Sequence, residues 1–288
     1  MSRVDGSSGA PTTRSSGVGA RGLSPALPSR LVPPLGSRRA LLLLERNARL
    51  YLRHRVLFLT GVLEPLLFLL SIGIGLGGLV GPIKVGDTEV SYAAFVAPAL
   101  LATSAMNGAM IDSIFNLFFK LKITHLYDSV LATPLDANDV ALGEVGWAVL
   151  RGLFYATTFV IIMAALGDVR SWMVVFCLPA SVLLSAAFAA VGMAATTHMR
   201  SWQDFDMVSL VFMPLFLFSG TFYPISAYPP WLAHIVAVTP LYQGVEINRA
   251  FSLGQLHWSL VANAAYLVVL FGLGYGMASR RLNRLLLP

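Results

Sequence analysis

Three ionisable side chains stand inside long apolar stretches of the sequence: Glu64, Asp112 and Arg151. A charge at the middle of a bilayer costs roughly a few kcal/mol unless it is paired or wetted, so such residues mark a buried ion pair or a polar lining. At 1.5 Å per helical residue, all three fall roughly 10–14 Å from the same membrane face. Opposite charges at equal depth on consecutive segments predict an ion pair or a shared polar site. Such a site either fixes helix packing or lines a route. Glu144 lies seven residues before Arg151 on the same helical face, at the expected interface. No other grouping offers reaction chemistry. The five histidines are dispersed, the serines have no G-x-S-x-G setting, and G-x-x-x-x-G-K-[ST] and H-E-x-x-H are absent. Gly73 to Gly78 satisfy G-x-G-x-x-G, but a dinucleotide loop needs a strand before it and a helix dipole after it. Here the run lies within an apolar stretch. Gly73 and Gly77, like Gly272 and Gly276, are expected instead to let helices approach closely. The single cysteine, Cys177, excludes an internal disulfide framework and a multi-cysteine metal site, and its apolar setting predicts plain packing.

The composition says what must position these charges. Of 288 residues, 56% are hydrophobic and 12% charged, and the mean hydropathy is +0.72. A soluble domain carries about 25% charged residues, so lipid must be part of this chain's solvent. The net charge of +6 does not point to nucleic acid, because the basic residues cluster at the ends of apolar stretches. Residues 1–36 are half Gly, Ser and Pro without apolar periodicity and read as a disordered tail. They hold no continuous apolar core of a secretory signal peptide. In 38–55, Arg38, Arg39, Arg46, Arg49 and Arg53 fall on one helical side, with Leu41, Leu44, Ala48 and Tyr51 opposite. That pattern predicts an amphipathic helix lying in the headgroup region, the alternative being a helix packed on protein.

Six apolar stretches follow, at 56–80, 92–119, 142–166, 172–196, 207–222 and 258–278. Each is judged against the roughly 20 residues that cross a bilayer. The second is unusually polar, with Thr103, Ser104, Asn107, Asp112 and Asn116, and the fifth is short. The predicted fold class is an all-α integral membrane protein of six spans, with a re-entrant helical hairpin before the last. Twelve Lys/Arg fall in the stretches assigned to the cytoplasm and three (Lys84, Arg170 and Arg249) in the outer loops, which places both termini inside. The inner connection 120–139 holds a short helical piece stopped at Thr133-Pro134. Asp136 and Asp139 then read as an N-cap with an acidic third position. The outer connection 223–257 holds two apolar pieces split by Thr239-Pro240, too short to span and tolerable only when packed on protein or lining a cavity.

These features together resemble the ABC-2 type permeases, the membrane halves of ATP-binding-cassette exporters, in the branch typified by the nodulation lipo-oligosaccharide exporter permease. The matching stretches are Glu64-Pro65-Leu66-Leu67 with Gly73 to Gly78; Ala105-Met106; Tyr127 to Pro134 with Gly143-Glu144; and Ser219 to Pro224 with Pro229 to Leu232 and Thr239 to Tyr242. The likeness covers about residues 40–285. It implies a transmembrane domain over 37–288 that is a transport subunit and not an enzyme. No cofactor is implied in this chain, since ATP and magnesium would be bound by a separate ATPase partner. A second permease copy or a related permease would complete the pathway in the plasma (inner) membrane. The resemblance assigns ATPase coupling to Tyr127, Asp128, Leu131, Pro134 and Glu144. It assigns an outer gate to Phe222, Tyr223, Pro224, Trp231, Pro240 and Tyr242. The cargo would be amphipathic: a lipo-oligosaccharide, glycolipid or lipid-linked polysaccharide, or alternatively a hydrophobic drug. A lipid-modifying membrane enzyme would need clustered Asp or His, and a secondary transporter an inverted repeat; the sequence offers neither.

Overall fold

In the computed structural model the described residues are 43–49, 51, 63, 66–85, 88–124, 126–131 and 135–286. The tail 1–36, the start of the basic helix, Glu64 and Pro134 lie outside them. Among the described residues the chain is helical apart from one short hairpin. It runs α1 (43–49, with Tyr51 also helical), α2 (Leu66–Val80), β1 (Ile83–Val85), β2 (Thr88–Val90), α3 (Tyr92–Ile123) and α4 (Leu126–Leu131). It continues with α5 (Ala137–Leu166), α6 (Trp172–Thr196), α7 (Asp204–Leu217), α8 (Pro230–Val238), α9 (Pro240–Leu253) and α10 (Ser259–Leu286). Four of these, α3, α5, α6 and α10, are long and apolar enough to cross a membrane.

The polarity of α3 is explained by its place. Of its most apolar stretch 89% is buried inside the protein, against 11% for α10. Thr103, Ser104, Asp112 and Ser113 of α3 are therefore buried against other helices, which can satisfy them, while Asn107 is exposed. Helices α3, α5 and α6 pack on one another, and α10 packs mainly on α6. Helix α3 also departs from α geometry twice, at Ile111–Asn116 and Phe119–Ile123, where its hydrogen bonds widen to π turns. Each π turn takes up one extra residue and shifts by one position which residues beyond it lie on a given face.

The helix ends follow local chemistry. Helix α5 starts after Asp136, whose N–H donates to the Asp139 carboxylate at 3.2 Å, and stops where Gly167 adopts a left-handed φ of 78°. Two boundaries correct the expectation from hydropathy. The fifth apolar stretch forms α7, which covers Asp204–Leu217 and not 207–222. Asp204 accepts the N–H groups of Arg200 and Ser201, drawing the start back, while Ser219 to Thr221 turn the chain around Gly220 at φ 69°. The last helix runs eight residues past 278, because Ala278 and Leu282 continue one buried face among the arginines. Arg281 Nε donates to the Thr197 carbonyl beyond α6, at 3.1 Å. Hydropathy gave no sign of the hairpin β1–β2, whose register pairs Ile83 with Val90 and Lys84 with Glu89.

The expected roles of Gly73, Gly77, Gly272 and Gly276 are also corrected. A Cβ would meet nothing within 4 Å at three of them, and at Gly73 only Ala93 at an ordinary 3.4 Å. The close approaches lie elsewhere. A Cβ on Gly152 would sit 2.1 Å from Ser185 Oγ and 3.1 Å from the Ala105 carbonyl, the two atoms that hydrogen-bond α6 to α3. Gly152→Ala should therefore cost about 1–3 kcal/mol through overpacking, read as a lower unfolding temperature of the purified chain in detergent. Gly272→Ala, into open space, should leave that temperature unchanged or raise it; equal losses in both variants would refute the packing account.

Candidate functional site

Two ion pairs of opposite polarity tie α3 to α5. In the upper pair Arg151 NH1 lies 3.0 Å from Asp112 Oδ1, both side chains being almost wholly buried. In the lower pair Lys120 Nζ lies 2.6 Å from Glu144 Oε2. On α5 the two partners are seven residues apart, close to two α turns, whereas on α3 they are eight apart. In an unbroken α-helix the eighth residue points roughly 80° away. The π turn at Ile111–Asn116 takes up the extra residue and brings both charges of α3 onto the face that meets α5.

Helix α1 closes over both pairs. Asn47 donates to Glu144 at 3.4 Å and accepts from Lys120 at 3.3 Å. One turn further on, the Tyr51 hydroxyl accepts from Arg151 NH1 and from Asn116 Nδ2, and donates to Asp112 Oδ1 at 3.3 Å. Leu43 of the same helix is buried, and a Cβ on Gly146 would meet Leu44 Cδ1 at 3.3 Å. One face of the basic helix is therefore packed on protein, with Asn47 and Tyr51 as its polar contacts. Asn116 also donates to Asp112 Oδ1, and Arg151 Nε donates to the Tyr155 hydroxyl at 3.0 Å. The Arg151 guanidinium lies over the Tyr51 and Tyr155 rings, 4.7 and 5.4 Å from their centroids.

Beside the upper pair, an open cavity of about 630 Å³ lies between α2, α3, α5 and α7. Thr103, Ser104, Asn107, Ser209 and Tyr155 give it polar edges; methionines and phenylalanines, such as Met106 and Phe212, form the rest of its wall. A concave, largely apolar site with few polar groups is the ordinary form of a small-molecule pocket. Tyr155 belongs both to the cavity wall and to the charge cluster.

At the other end of α3, Arg249 was counted among outer-loop charges, but the structure buries it. Its guanidinium bonds Glu246 at 2.7 Å and the Gly220 carbonyl at 2.7 Å, and lies 4.1 Å from the centroid of the Phe95 ring. Burial pushes its pKa below the ordinary value, with the Glu246 carboxylate opposing. The turn that carries Phe222, Tyr223 and Pro224 is thereby fastened to α9. A Cβ on Gly220 would meet the Tyr242 ring at 3.1 Å, and the Tyr92 hydroxyl donates to the Phe222 carbonyl at 3.2 Å. Tyr223 and Trp231 are exposed. Pro240 opens α9 as its first residue.

Residues 38–252 match the ABC-2 type transporter family. The chain belongs to that family. It is also similar, over most of the length of each protein, to several proteins named nodulation protein J. It is 30% identical to that of Rhizobium meliloti (strain 1021) over 243 residues, 81% of this chain and 91% of the relative. It is 31% identical to that of Rhizobium leguminosarum bv. viciae over 228 residues, 77% and 86% of the two chains. An ABC-2 transporter subunit with four long apolar helices is a multi-pass membrane protein whose work is transport.

Within this ABC-2 fold the residues singled out from sequence separate clearly. Asp112 and Arg151 come together; Glu64 and Pro134 lie outside the described residues. Asp128 and Leu131 are on α4, and only their backbone is described. Tyr127 does not present a face for a partner, since only 1% of it is exposed. Burial, with the Glu144 carboxylate beside it, pushes its hydroxyl well above the ordinary pKa. Tyr127 thus roots α4 in the core beside the lower ion pair. Asn47, Tyr51, Lys120 and Tyr155 were not singled out. The available signal was spacing: Asn47 and Tyr51, Asp112 and Asn116, and Arg151 and Tyr155 are each four residues apart.

Proposed function

We propose that this chain is the membrane permease of an ATP-binding-cassette exporter that moves an amphipathic glycolipid, of the lipo-oligosaccharide or lipid-linked polysaccharide class, out of the cytoplasm. The observation that carries the reading is the likeness to nodulation protein J across most of both chains. The cavity beside α3 supports it, offering apolar wall for an acyl portion and hydroxyl and amide groups for a sugar portion. Export of a hydrophobic drug is the competing reading, and the polar edge weighs against it.

In this proposal six segments cross the plasma membrane, α2 and α7 joining the four long helices, and both termini are cytoplasmic. The tail 1–36 is a cytoplasmic extension of the transmembrane domain 37–288, and 38–55 lies at the inner surface. Helix α4 is the segment that seats against a separate ATPase subunit, with Asp128, Leu131 and Pro134 at the contact and Tyr127 and Glu144 behind it. Helices α8 and α9 form a re-entrant hairpin that caps the exit, with Phe222, Tyr223, Pro224, Trp231, Pro240 and Tyr242 as its gate. Two permease copies share one pathway. ATP and magnesium act only on the ATPase partner.

The test is uptake into inside-out vesicles carrying the chain with its ATPase subunit. Fluorescent lipo-oligosaccharide should accumulate with ATP, and a hydrophobic dye of drug type should not. Preference for the dye would reverse the cargo assignment. ATP turnover by the permease alone would overturn the division of labour. Orientation is read separately, by an impermeant thiol reagent on intact cells after Cys177→Ala. Tyr223→Cys should label from outside and Arg200→Cys should not; the opposite pattern would invert the topology.

A further inference from the structure

We propose that Tyr51 is a positioning residue that ties the surface helix α1 to the cavity wall, so that displacement of α1 is passed to Tyr155 through Arg151. The proposal rests on the transport reading above for its purpose, but not for its physics.

The linkage has no slack. A tyrosine hydroxyl has one proton and two lone pairs, and Tyr51 uses all three: it donates to Asp112 and accepts from Arg151 and Asn116. Arg151 is a planar, rigid fork, so turning one edge of it turns the other. That other edge, Nε, donates to Tyr155 at 3.0 Å. The Tyr155 ring is trapped in turn: a Cβ on Gly108 would approach it to 2.8 Å, so α3 leaves it room only because glycine stands there. Tyr155 also forms part of the cavity wall, together with Asn107 and Ile111. A shift at α1 cannot be absorbed by rotamer change at any of these points, since each side chain is buried or bonded at both ends. It must reach the cavity.

The lower ion pair anchors the other end of the lever. Asn47, one turn before Tyr51, is held by Glu144 and Lys120, in the same place where Tyr127 of α4 is buried. Helix α1 thus touches the α4 root with one residue and the cavity linkage with the next residue on that face.

The experiment uses the full chain in membrane vesicles without ATP, in a Cys177→Ala background. Asn107→Cys, exposed on the cavity wall, is labelled with N-ethylmaleimide and the rate is measured. Tyr51→Phe keeps the ring and removes only the hydroxyl; it should change that rate at least fivefold. The same substitution made in a Tyr155→Phe background should change it less than twofold, because the linkage is already cut. Where labelling reports the equilibrium population of the open site, coupling of the two sites is reciprocal. Tyr155→Phe should therefore alter labelling of Arg49→Cys, exposed on α1, and this holds as a test even if Tyr51→Phe fails to insert. An unchanged rate at position 107, or an equal effect of Tyr51→Phe in both backgrounds, would overturn the proposal. So would labelling at position 49 that ignores Tyr155→Phe. Coupling in a complex that exports nothing with ATP would leave the linkage standing and remove the transport reading; export without coupling would remove the linkage alone.

Discussion

Replacing Arg151 with leucine should cost about 3–5 kcal/mol of stability, because it strands the Asp112 carboxylate in a buried site. The loss should show as poor recovery of folded chain from membranes and a lowered unfolding temperature in detergent. Adding Asp112→Asn should restore a large part of it. The amide no longer carries a charge that needs a counter-ion, and Asn116 and Tyr51 remain to bond it. Replacing a buried pair by neutral groups is often close to neutral overall, whereas breaking it by one partner is not. The decisive quantity is non-additivity. If the double variant loses the sum of the single losses, the two groups do not act as a pair. If stability returns and export does not, the charges serve transport as well as folding.

Arg249→Met should loosen the outer turn. It leaves the Gly220 carbonyl without its donor inside the protein, at a cost of about 1–3 kcal/mol, while Glu246, partly exposed, remains hydrated. The expected result is faster proteolysis or thiol labelling within 219–224, with the long helices still protected. Arg249→Lys should recover only part of this. A lysine offers one point charge where the guanidinium bonds Glu246 and Gly220 on separate nitrogens and lies over Phe95. Equal protection of the turn in wild type and Arg249→Met would refute the clamp.

The two predictions differ in how far the sequence foretold them. Asp112 and Arg151 were legible because a charge in an apolar stretch is conspicuous and matched depth narrows its partners. Arg249 was not, since a basic residue in a polar, loop-like segment reads as a solvated outer charge. Its burial depends on α9 packing against α3, α6 and α10, which no local pattern announces. The split of the outer connection at Thr239-Pro240 was legible, because proline dictates the break locally. The hairpin 83–90 was not, since three-residue strands carry too little periodicity. Tyr51 was placed on the apolar face of its helix, correctly as to side. A tyrosine at such a position brings a hydroxyl that can meet charge, and spacing alone does not reveal which one. The glycine roles failed for a related reason: close approach is a property of the neighbour, and Gly152 is crowded by Ser185 while Gly272 faces open space.

The π turn at Ile111–Asn116 gives the segment between Asp112 and Lys120 one residue more than an unbroken helix needs to join the same two pairs. Loops tolerate gain or loss of a residue because their ends can adjust. Here one deletion would convert the turn to ordinary α geometry and leave the acid and the base seven residues apart, within about 20° of one face. Lys120 would keep its place beside Glu144 and the Phe118 and Phe119 rings theirs beside Trp202, whereas a further insertion that no wider turn absorbed would swing the rest of α3 by about 100°. Divergence in this stretch is therefore confined to loss of that one residue and exchange of side chains. Among descendants of one ancestor that kept both pairs, the interval from the acid to the base should be eight residues with the π turn or seven without it, while nearby loops vary freely. That interval would serve as a ruler for aligning sequences too distant to match residue by residue.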